Sequence, residues 1–360
     1  ILFLLCSLLI ILFFHYKWIP VIFFGIVGLE VSINLLASLD NISYQKNFDY
    51  ANFTSNVSQT TTYLHKYDSG LYRTEKTFTR SDDDPFSNNY YGVSNFNSIS
   101  DRAAINLVDY LGLENNDNSF TNNFATPLSD SLLGIKYNIV PIKNRRNLPK
   151  KEQVVFTSAF YRPDLVTNTV VKSFKQLQIR KNSSALPLIF ISNTHQKLTF
   201  YNSMPATNQN NLFNSIVGQK HNLFNSLYLT NPSKLKNTKH TKNLNEYKKI
   251  NKNKTATITF NIASFQKGPY YLELPSNLTT NVTSIIVHNH QLNNDDLGIS
   301  SKLLNIGYYS TNTPIKIVFT LNTENINLNG IRVLQFREDE FNKIIRKFNQ
   351  KQPVTHQTSP

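Results

Sequence analysis

Residues 21–39 read Val-Ile-Phe-Phe-Gly-Ile-Val-Gly-Leu-Glu-Val-Ser-Ile-Asn-Leu-Leu-Ala-Ser-Leu and form an almost uninterrupted apolar run. Because about 20 apolar residues in an α-helix cross a hydrocarbon core of roughly 30 Å, this run predicts a membrane-spanning helix. A second apolar run, residues 1–14, is too short to cross at about 1.5 Å per residue. We expect it to be the end of a helix that begins upstream, so that residues 1–39 form a transmembrane hairpin.

A cleavable signal peptide is the alternative interpretation of this start. Such a peptide has a basic beginning, one apolar stretch and a cleavage site of small residues. This chain has two apolar stretches with no basic residue before them, and Ala37-Ser38-Leu39 is a poor cleavage site. The sequence therefore favours membrane helices.

The break between the two runs, residues 15–20, predicts which side of the membrane the rest of the chain occupies. It contains Lys17, the only Lys or Arg before residue 41. Short basic loops stay in the cytoplasm, whereas long domains translocate largely regardless of charge. We therefore expect a multi-pass protein of the cell membrane with everything after Asp40 outside the cell.

Two polar residues, Glu30 and Asn34, interrupt the apolar run at its middle. Their spacing of four places them on one face of a helix, and polar groups at that depth face protein or water rather than lipid. The simpler interpretation is a hydrogen bond to further membrane helices. The alternative is a role in catalysis or in contacting the substrate.

The part after Asp40 is basic and free of cysteine. The residues after Asp40 carry a formal net charge of +15, against +14 for the whole chain, and Cys6 is the only cysteine. This excludes disulfides, thiol nucleophiles and cysteine-based zinc sites after residue 40, and it is typical of a bacterial surface protein. The lysine cluster between residues 231 and 254 lacks interleaved aromatic residues, so nucleic acid is not an expected partner. The expected partners are anionic lipid headgroups or phosphate-rich wall polymers.

The sequence after Asp40 predicts an α+β fold with several regions. Residues 40–230 alternate helical and strand patterns, including helices at 51–67, 102–111 and 208–217 and strands at 71–78 and 135–140. Residues 231–254 form a Lys- and Asn-rich linker or loop. Residues 255–337 contain short alternating runs that predict a jelly-roll-like β-sandwich. Residues 338–360 are a helix and a polar tail.

Several segments follow one another in an order that is specific to a known family. They are Leu71-Tyr-Arg-Thr-Glu-Lys, Asp83-Asp-Pro-Phe, Tyr91-Gly-Val-Ser-Asn-Phe-Asn-Ser98, Asp130-Ser-Leu-Leu-Gly-Ile-Lys-Tyr137 and the stretch from Met204 to Gly218. Together with Glu30 and Asn34 in the preceding helix, this set resembles the extracellular region of the YfhO family of bacterial membrane proteins. The resemblance runs along nearly the whole chain.

The resemblance implies a GT-C type glycosyltransferase with many membrane helices. Such an enzyme takes a sugar from an undecaprenyl-phosphate-linked donor and transfers it to an extracellular polymer such as lipoteichoic acid. The family's catalytic acid would lie in an external loop upstream of residue 1, and this part of the chain would position the acceptor or the donor. The alternative is a noncatalytic, membrane-anchored surface protein that binds a carbohydrate or polymer.

Six residues are the candidates for contact with substrate. Asp83 and Asp84 belong to the run Asp82-Asp-Asp-Pro85, which suits either a cation or an ordinary turn; Asp83 stands where the family has Asn. Arg73 and Lys136 offer phosphate contacts or structural ion pairs. Tyr91 offers a ring for stacking on a sugar, and Asn97 lies in the same resembling segment. We assign no metal site and no cofactor, and a divalent metal stays open.

Overall fold

The computed structural model describes Leu8, Ile42 and residues 16–40, 46–192, 198–243, 245–279, 281–288, 290–293 and 301–352. The chain forms two compact units, residues 1–51 and residues 52–360. Within the described residues the fold is mixed, with helices and mainly antiparallel sheets, as the α+β prediction requires.

The predicted membrane helix is present as helix α1, Ile19–Asp40. Residues Pro20–Asp40 have a mean hydropathy of 2.0 and are long and apolar enough to cross a membrane. Pro20 lies in the first turn, where a missing N–H breaks no helical hydrogen bond. Tyr16, Lys17 and Trp18 form a turn before α1. Apart from Leu8, the first apolar run lies outside the described residues, so the hairpin stays a prediction.

Short helices, 3-10 turns and many strands follow α1 along the chain. The helices are α2 (Asn47–Tyr67), α3 (Asp84–Ser87), α4 (Arg102–Tyr110), α5 (Pro127–Leu132), α6 (Pro205–Val217), α7 (Ser276–Thr279) and α8 (Glu338–Gln350), with 3-10 turns at Lys143–Asn147, Lys150–Glu152 and Pro163–Thr167. The strands up to residue 250 are β1 (Arg73–Lys76), β2 (Phe78–Thr79), β3 (Asn95–Phe96), β4 (Ser119–Phe120), β5 (Ile135–Pro141), β6 (Ser158–Ala159), β7 (Thr169–Ser173), β8 (Leu177–Lys181), β9 (Phe224–Tyr228), β10 (Lys234–Lys236), β11 (Thr238–His240) and β12 (Glu246–Lys249). The later strands are β13 (Thr257–Ala263), β14 (Gly268–Leu274), β15 (Val282–Val287), β16 (His290–Asn293), β17 (Lys302–Tyr309), β18 (Pro314–Leu321), β19 (Asn325–Asn327) and β20 (Arg332–Phe336).

A four-stranded mixed sheet and helix α2 share one hydrophobic core. The strand order is β1-β5-β8-β7, with β1 parallel to β5 and the other pairs antiparallel. Phe53, Val57 and Leu64 line one side of α2 at helical spacing and join Tyr137 and Ile139 of β5 in a buried cluster. The helix predicted at 51–67 is confirmed and begins earlier, at Asn47. The strand predicted at 71–78 is divided into β1 and β2.

Two further sheets share a second core in the later part of the chain. Their strand orders are β10-β13-β18-β15-β16 and β17-β14-β20-β9. Phe260 and Phe319 from the first sheet and Leu272 and Leu304 from the second belong to one buried cluster. Strand β18 alternates between buried and more exposed side chains, which is the pattern that predicted it. The jelly-roll connectivity stays a prediction.

The Lys-rich stretch 231–254 contains three short strands where we predicted a linker or loop. Strand β10 pairs with β13, and β12 pairs with β11 and β19. These strands are three or four residues long, and runs of Lys and Asn give no apolar alternation from which strands can be read. Residues 52–360 form one compact unit, and the finer predicted division at residues 230, 255 and 337 stays a prediction.

A buried ion network joins the segments around these sheets. The guanidinium of Arg162 contacts Asp130 of α5 at 2.7 Å and Asp164 at 2.8 Å, and its side chain is 3% exposed. Asn122 donates to Asp130, and Asn305 of β17 donates to Asp164. Burial alone would lower the pKa of Arg162, but the two carboxylates hold it well above its usual range. Every charged group in this network has partners, as buried charges require.

We predict that Arg162→Met strongly destabilises residues 52–360. Methionine fills similar space but leaves Asp130 and Asp164 buried without their cation, which costs about 3 to 5 kcal/mol. Chemical denaturation of the full chain in detergent measures this loss. The control is Arg102→Met, because Arg102 pairs with Asp117 in solvent, with the two side chains 74% and 101% exposed; it should leave stability unchanged. Equal effects of the two substitutions would contradict the role given to Arg162.

Candidate functional site

Three adjoining cavities form an extended concave surface that contains residues predicted from the sequence. We call them together the groove. The first, about 230 Å³, and the second, about 540 Å³, share Ser69, Gly70 and Tyr72. The second and the third, about 370 Å³, share Lys181, Asn182 and Ser183. Because neighbouring cavities have walls in common, the groove is an elongated surface rather than one closed pocket.

Short turns at the ends of the mixed sheet hold the walls of the groove. Asp68 follows α2, and its carboxylate accepts the N–H of Gly70 at 3.0 Å. Asn182 follows β8; its amide donates to the carbonyl of Ile135 at 3.0 Å, and its side-chain oxygen accepts from the N–H of Ser184. Gly134 lines the second cavity with φ near +68°, and a Cβ there would collide with Leu188.

Lys136 lies in the second cavity in an ion pair with Asp68. The ammonium is 2.5 Å from the carboxylate, which also accepts from the hydroxyl of Tyr137 at 2.7 Å. Burial would raise the pKa of Asp68, but the hydrogen bonds from Lys136, Tyr137 and Gly70 outweigh it and lower the pKa. The Lys136 ammonium also lies 5.6 Å from the ring centre of Tyr72. About a third of the Lys136 side chain stays exposed, at 34%, so it remains within reach of a ligand.

Tyr91 lies at the open edge of the first cavity. Its residue is 71% exposed, while its backbone carbonyl accepts from the N–H of Thr74 at 2.8 Å and fixes its place beside β1. Tyr90 lines the same cavity, and its hydroxyl accepts from the buried ammonium of Lys76. A rigid backbone with one exposed ring is suited to stacking on a sugar face.

The third cavity combines acidic, basic and aromatic side chains. Glu338 accepts hydrogen bonds from Thr167 at 2.7 Å and from the hydroxyl of Tyr308 at 3.1 Å. Burial raises the pKa of Glu338, and burial together with Glu338 raises the pKa of Tyr308 to about 12. Lys267 and Arg346 line the same cavity. The sequence did not predict Glu338, Thr167, Lys267 or Arg346, because they come from distant segments without a shared motif.

The other sequence candidates lie outside the walls of the groove. Asp84 is buried, and its carboxylate pairs with Lys76 at 3.2 Å. It also accepts the N–H groups of Arg80 and Ser81, as expected if the run Asp82-Asp-Asp-Pro85 forms a turn. Asp83 accepts the N–H of Phe96 at 2.9 Å. Among the residues the structure describes, no group of three His, Cys, Asp or Glu side chains is placed to hold a metal ion.

Arg73 and Asn97 have local roles in the structure. Arg73 donates to the carbonyl of Leu133 at 2.6 Å, and burial lowers the pKa of its guanidinium. Asn97 is exposed, and its side-chain oxygen accepts the N–H of Ile99 at 3.0 Å. The structure thus brings Lys136 and Tyr91 to two adjoining cavities, and it puts the remaining four candidates elsewhere. Their contact with a substrate stays a prediction.

A comparison with protein-family models decides the family. The model described as bacterial membrane protein YfhO matches residues 1–360. The chain belongs to the YfhO family. A search of curated proteins and a search of solved structures found no match. The family resemblance drawn from segments such as Asp130–Tyr137 is therefore confirmed, and this member of the YfhO family is a bacterial membrane protein.

We predict a pH-dependent role for Asp68 in holding the groove. Because the folded-state pKa of Asp68 is lowered, its contribution is complete above the unfolded value of about 3.9 and is lost as pH falls through the lower folded value. Asp68→Asn should reduce the free energy of unfolding by about 1 to 3 kcal/mol at pH 7, and the difference from wild type should shrink below about pH 4.

Denaturant unfolding at several pH values measures this difference. Asp117→Asn is the matched control, because Asp117 is fully exposed and should show no difference at any pH. A difference for Asp68→Asn that is independent of pH would contradict the assigned ion pair.

Proposed function

We propose that this chain is part of a membrane glycosyltransferase that transfers a sugar from an undecaprenyl-phosphate-linked donor to an extracellular polymer such as lipoteichoic acid. Residues 52–360, which we call the large unit, position the acceptor. The catalytic acid lies in another part of the enzyme. The proposal includes the orientation deduced from Lys17, with residues after Asp40 outside the cell. Membership of the YfhO family and the membrane-length helix α1 support a membrane-associated enzyme of this kind.

The groove is the observation that carries the proposal. A small substrate needs one pocket, whereas a polymer needs an extended surface, and the three cavities adjoin through shared residues. Tyr72 and Tyr91 supply ring faces for sugars. The hydroxyls of Ser69 and Ser183 supply hydrogen-bonding groups that match sugar hydroxyls.

The charges along the groove suit an acceptor that carries both phosphates and hydroxyls. Lys136 and Lys181 lie in the second cavity and provide cations for phosphate. Glu338 and Asp339 lie in the third and provide acceptors for hydroxyl groups. The third cavity also contains the basic side chains of Lys181, Lys267 and Arg346. An acceptor that carries both phosphate and polyol units matches this mixture of charges better than a neutral glycan does.

The polar pair Glu30 and Asn34 in α1 belongs to the membrane part of the proposed enzyme. Glu30 and Asn34 are four residues apart on one helix face. We assign them to contacts with other membrane helices of the enzyme, since polar groups at this depth require partners. The large unit and the membrane part thus have different tasks, acceptor positioning and sugar transfer.

We predict that Tyr91→Ala weakens acceptor use without unfolding the protein. Loss of one stacked ring is worth about 0.5 to 1.5 kcal/mol, so the KM for the acceptor polymer should rise roughly 2- to 10-fold with kcat unchanged. The measurement is sugar transfer by the intact protein in membranes at varied acceptor concentration.

Phe86→Ala provides the matched control for this experiment. Phe86 is 76% exposed, as open as Tyr91, and does not line the groove. It should leave KM at the wild-type value. An equal rise in KM for both variants, or no rise for Tyr91→Ala, would contradict the placement of the acceptor. Polymer binding without transfer by the complete protein would favour the noncatalytic alternative.

A further inference from the structure

Two pairs of lysines lie on exposed strands of the stretch that joins the two sheet regions in sequence. Strand β11 pairs with β12 so that Lys239 is directly opposite Lys248. Lys234 and Lys236 are two residues apart on β10 and therefore share one face of that strand. All four lysines are exposed. We call these four residues the lysine surface.

The register of β11 and β12 is unusual for charged residues. Side chains directly opposite each other in an antiparallel pair have Cβ atoms about 4.5 to 5.5 Å apart, and like charges there repel. A carboxylate across from a lysine would be the common arrangement, but the fold places Lys239 across from Lys248. An anion that lies between the two ammonium groups would remove this repulsion.

The nearby carboxylates are engaged elsewhere. Glu246 accepts hydrogen bonds from Thr241 and Asn243, and Glu324 pairs with Lys252 at 2.6 Å. Within the described residues, none of the four lysines of the lysine surface forms an ion pair. Their charges are therefore available to an external ligand.

The two lysine pairs are close enough to act on one ligand. Only Asn237 separates β10 from β11, and the three steps from Lys236 to Lys239 span at most about 11 Å. That distance is near the Debye length of about 8 to 10 Å at physiological salt. Asn237 itself is fixed, because its amide donates to the carbonyls of Asn251 and Lys254. The four charges are thus held by ordered backbone.

The side chains around Lys248 favour a hydrophilic polymer over a membrane surface. On the face that bears Lys239 and Lys248, the paired strand β19 contributes Asn325 and Asn327, and β12 contributes Glu246. A protein surface that inserts into a bilayer interface has apolar side chains among its basic ones. This face of the three-stranded sheet has polar residues only.

We infer that the lysine surface binds a linear phosphodiester polymer, as a second site distinct from the groove. The groove would hold the segment of the acceptor that receives the sugar, while the lysine surface would retain another segment of the same chain. This inference rests on the proposed function and deepens it, because it states the charge of the acceptor and where that charge is recognised. It concerns binding alone and requires no sugar transfer.

The test is binding of synthetic poly(glycerol phosphate) to the full chain in detergent at several salt concentrations. The variant carries Lys→Gln at positions 234, 236, 239 and 248, and the control carries Lys→Gln at four exposed lysines elsewhere, namely Lys143, Lys150, Lys220 and Lys316. If counterions are released as from single-stranded nucleic acid, the slope of log K against log salt should fall by about 0.7 per lysine, or roughly three in all, for the variant. The control should keep the wild-type slope.

Two further arms separate the possible results. Vesicles containing phosphatidylglycerol test the membrane. Because helix α1 can bind vesicles by itself, variant and control are compared, and a larger loss of vesicle binding than of polymer binding in the variant would overturn the inference. Equal slopes for variant and control would also overturn it. The binding test does not measure sugar transfer, so a lack of glycosyltransferase activity would not change its result. Conversely, failure of the polymer to bind the lysine surface would not decide the Tyr91 prediction, which has its own KM measurement.

Discussion

The buried contact between Arg162 and the carboxylates of Asp130 and Asp164 is the constraint on which the large unit depends. One guanidinium satisfies two acids that have no access to water. Asn305 of β17 completes the network, so helix α5, the 3-10 turn after β6 and the later four-stranded sheet meet at one point. A buried pair of this kind adds little net stability compared with apolar packing, but removal of one partner is severe. The network therefore fixes the relative arrangement of these segments more than it strengthens them.

The groove inherits its shape from this arrangement. Its second cavity is built on the residues that follow Asp130, including Gly134 and Lys136. Its third cavity includes Thr167, on the turn that contains Asp164, and Tyr308, on the strand that contains Asn305. Fixed walls of this kind lower the ordering cost of binding. The ion network thus connects a structural requirement to the proposed positioning of an acceptor.

The elements with a strong apolar period could be predicted from the sequence, and those without one could not. The sequence predicts helix α1, helix α4 and strand β18 because their apolar positions are continuous or recur at a regular spacing. Strands β10, β11 and β12 carry Lys and Asn and show no such period. The ion network was also missed: Asp130 and Arg162 are 32 residues apart, and nothing in a single sequence shows that distant charges are buried together. Lys136 and Tyr91 could be proposed as substrate contacts from their residue types and the family resemblance. Their neighbours Asp68 and Tyr72 could not, because a single sequence does not show which distant residues line one cavity.

Direct mapping of a bound polymer tests the central claim, that the large unit positions an acceptor in the groove. Poly(glycerol phosphate) that carries a diazirine and one terminal sugar is irradiated with the intact protein in membranes, and the adducts are located by peptide mass spectrometry. We expect adducts on residues 68–72, 90–91 and 181–183, which line the three cavities. Adducts found only outside these segments would contradict it.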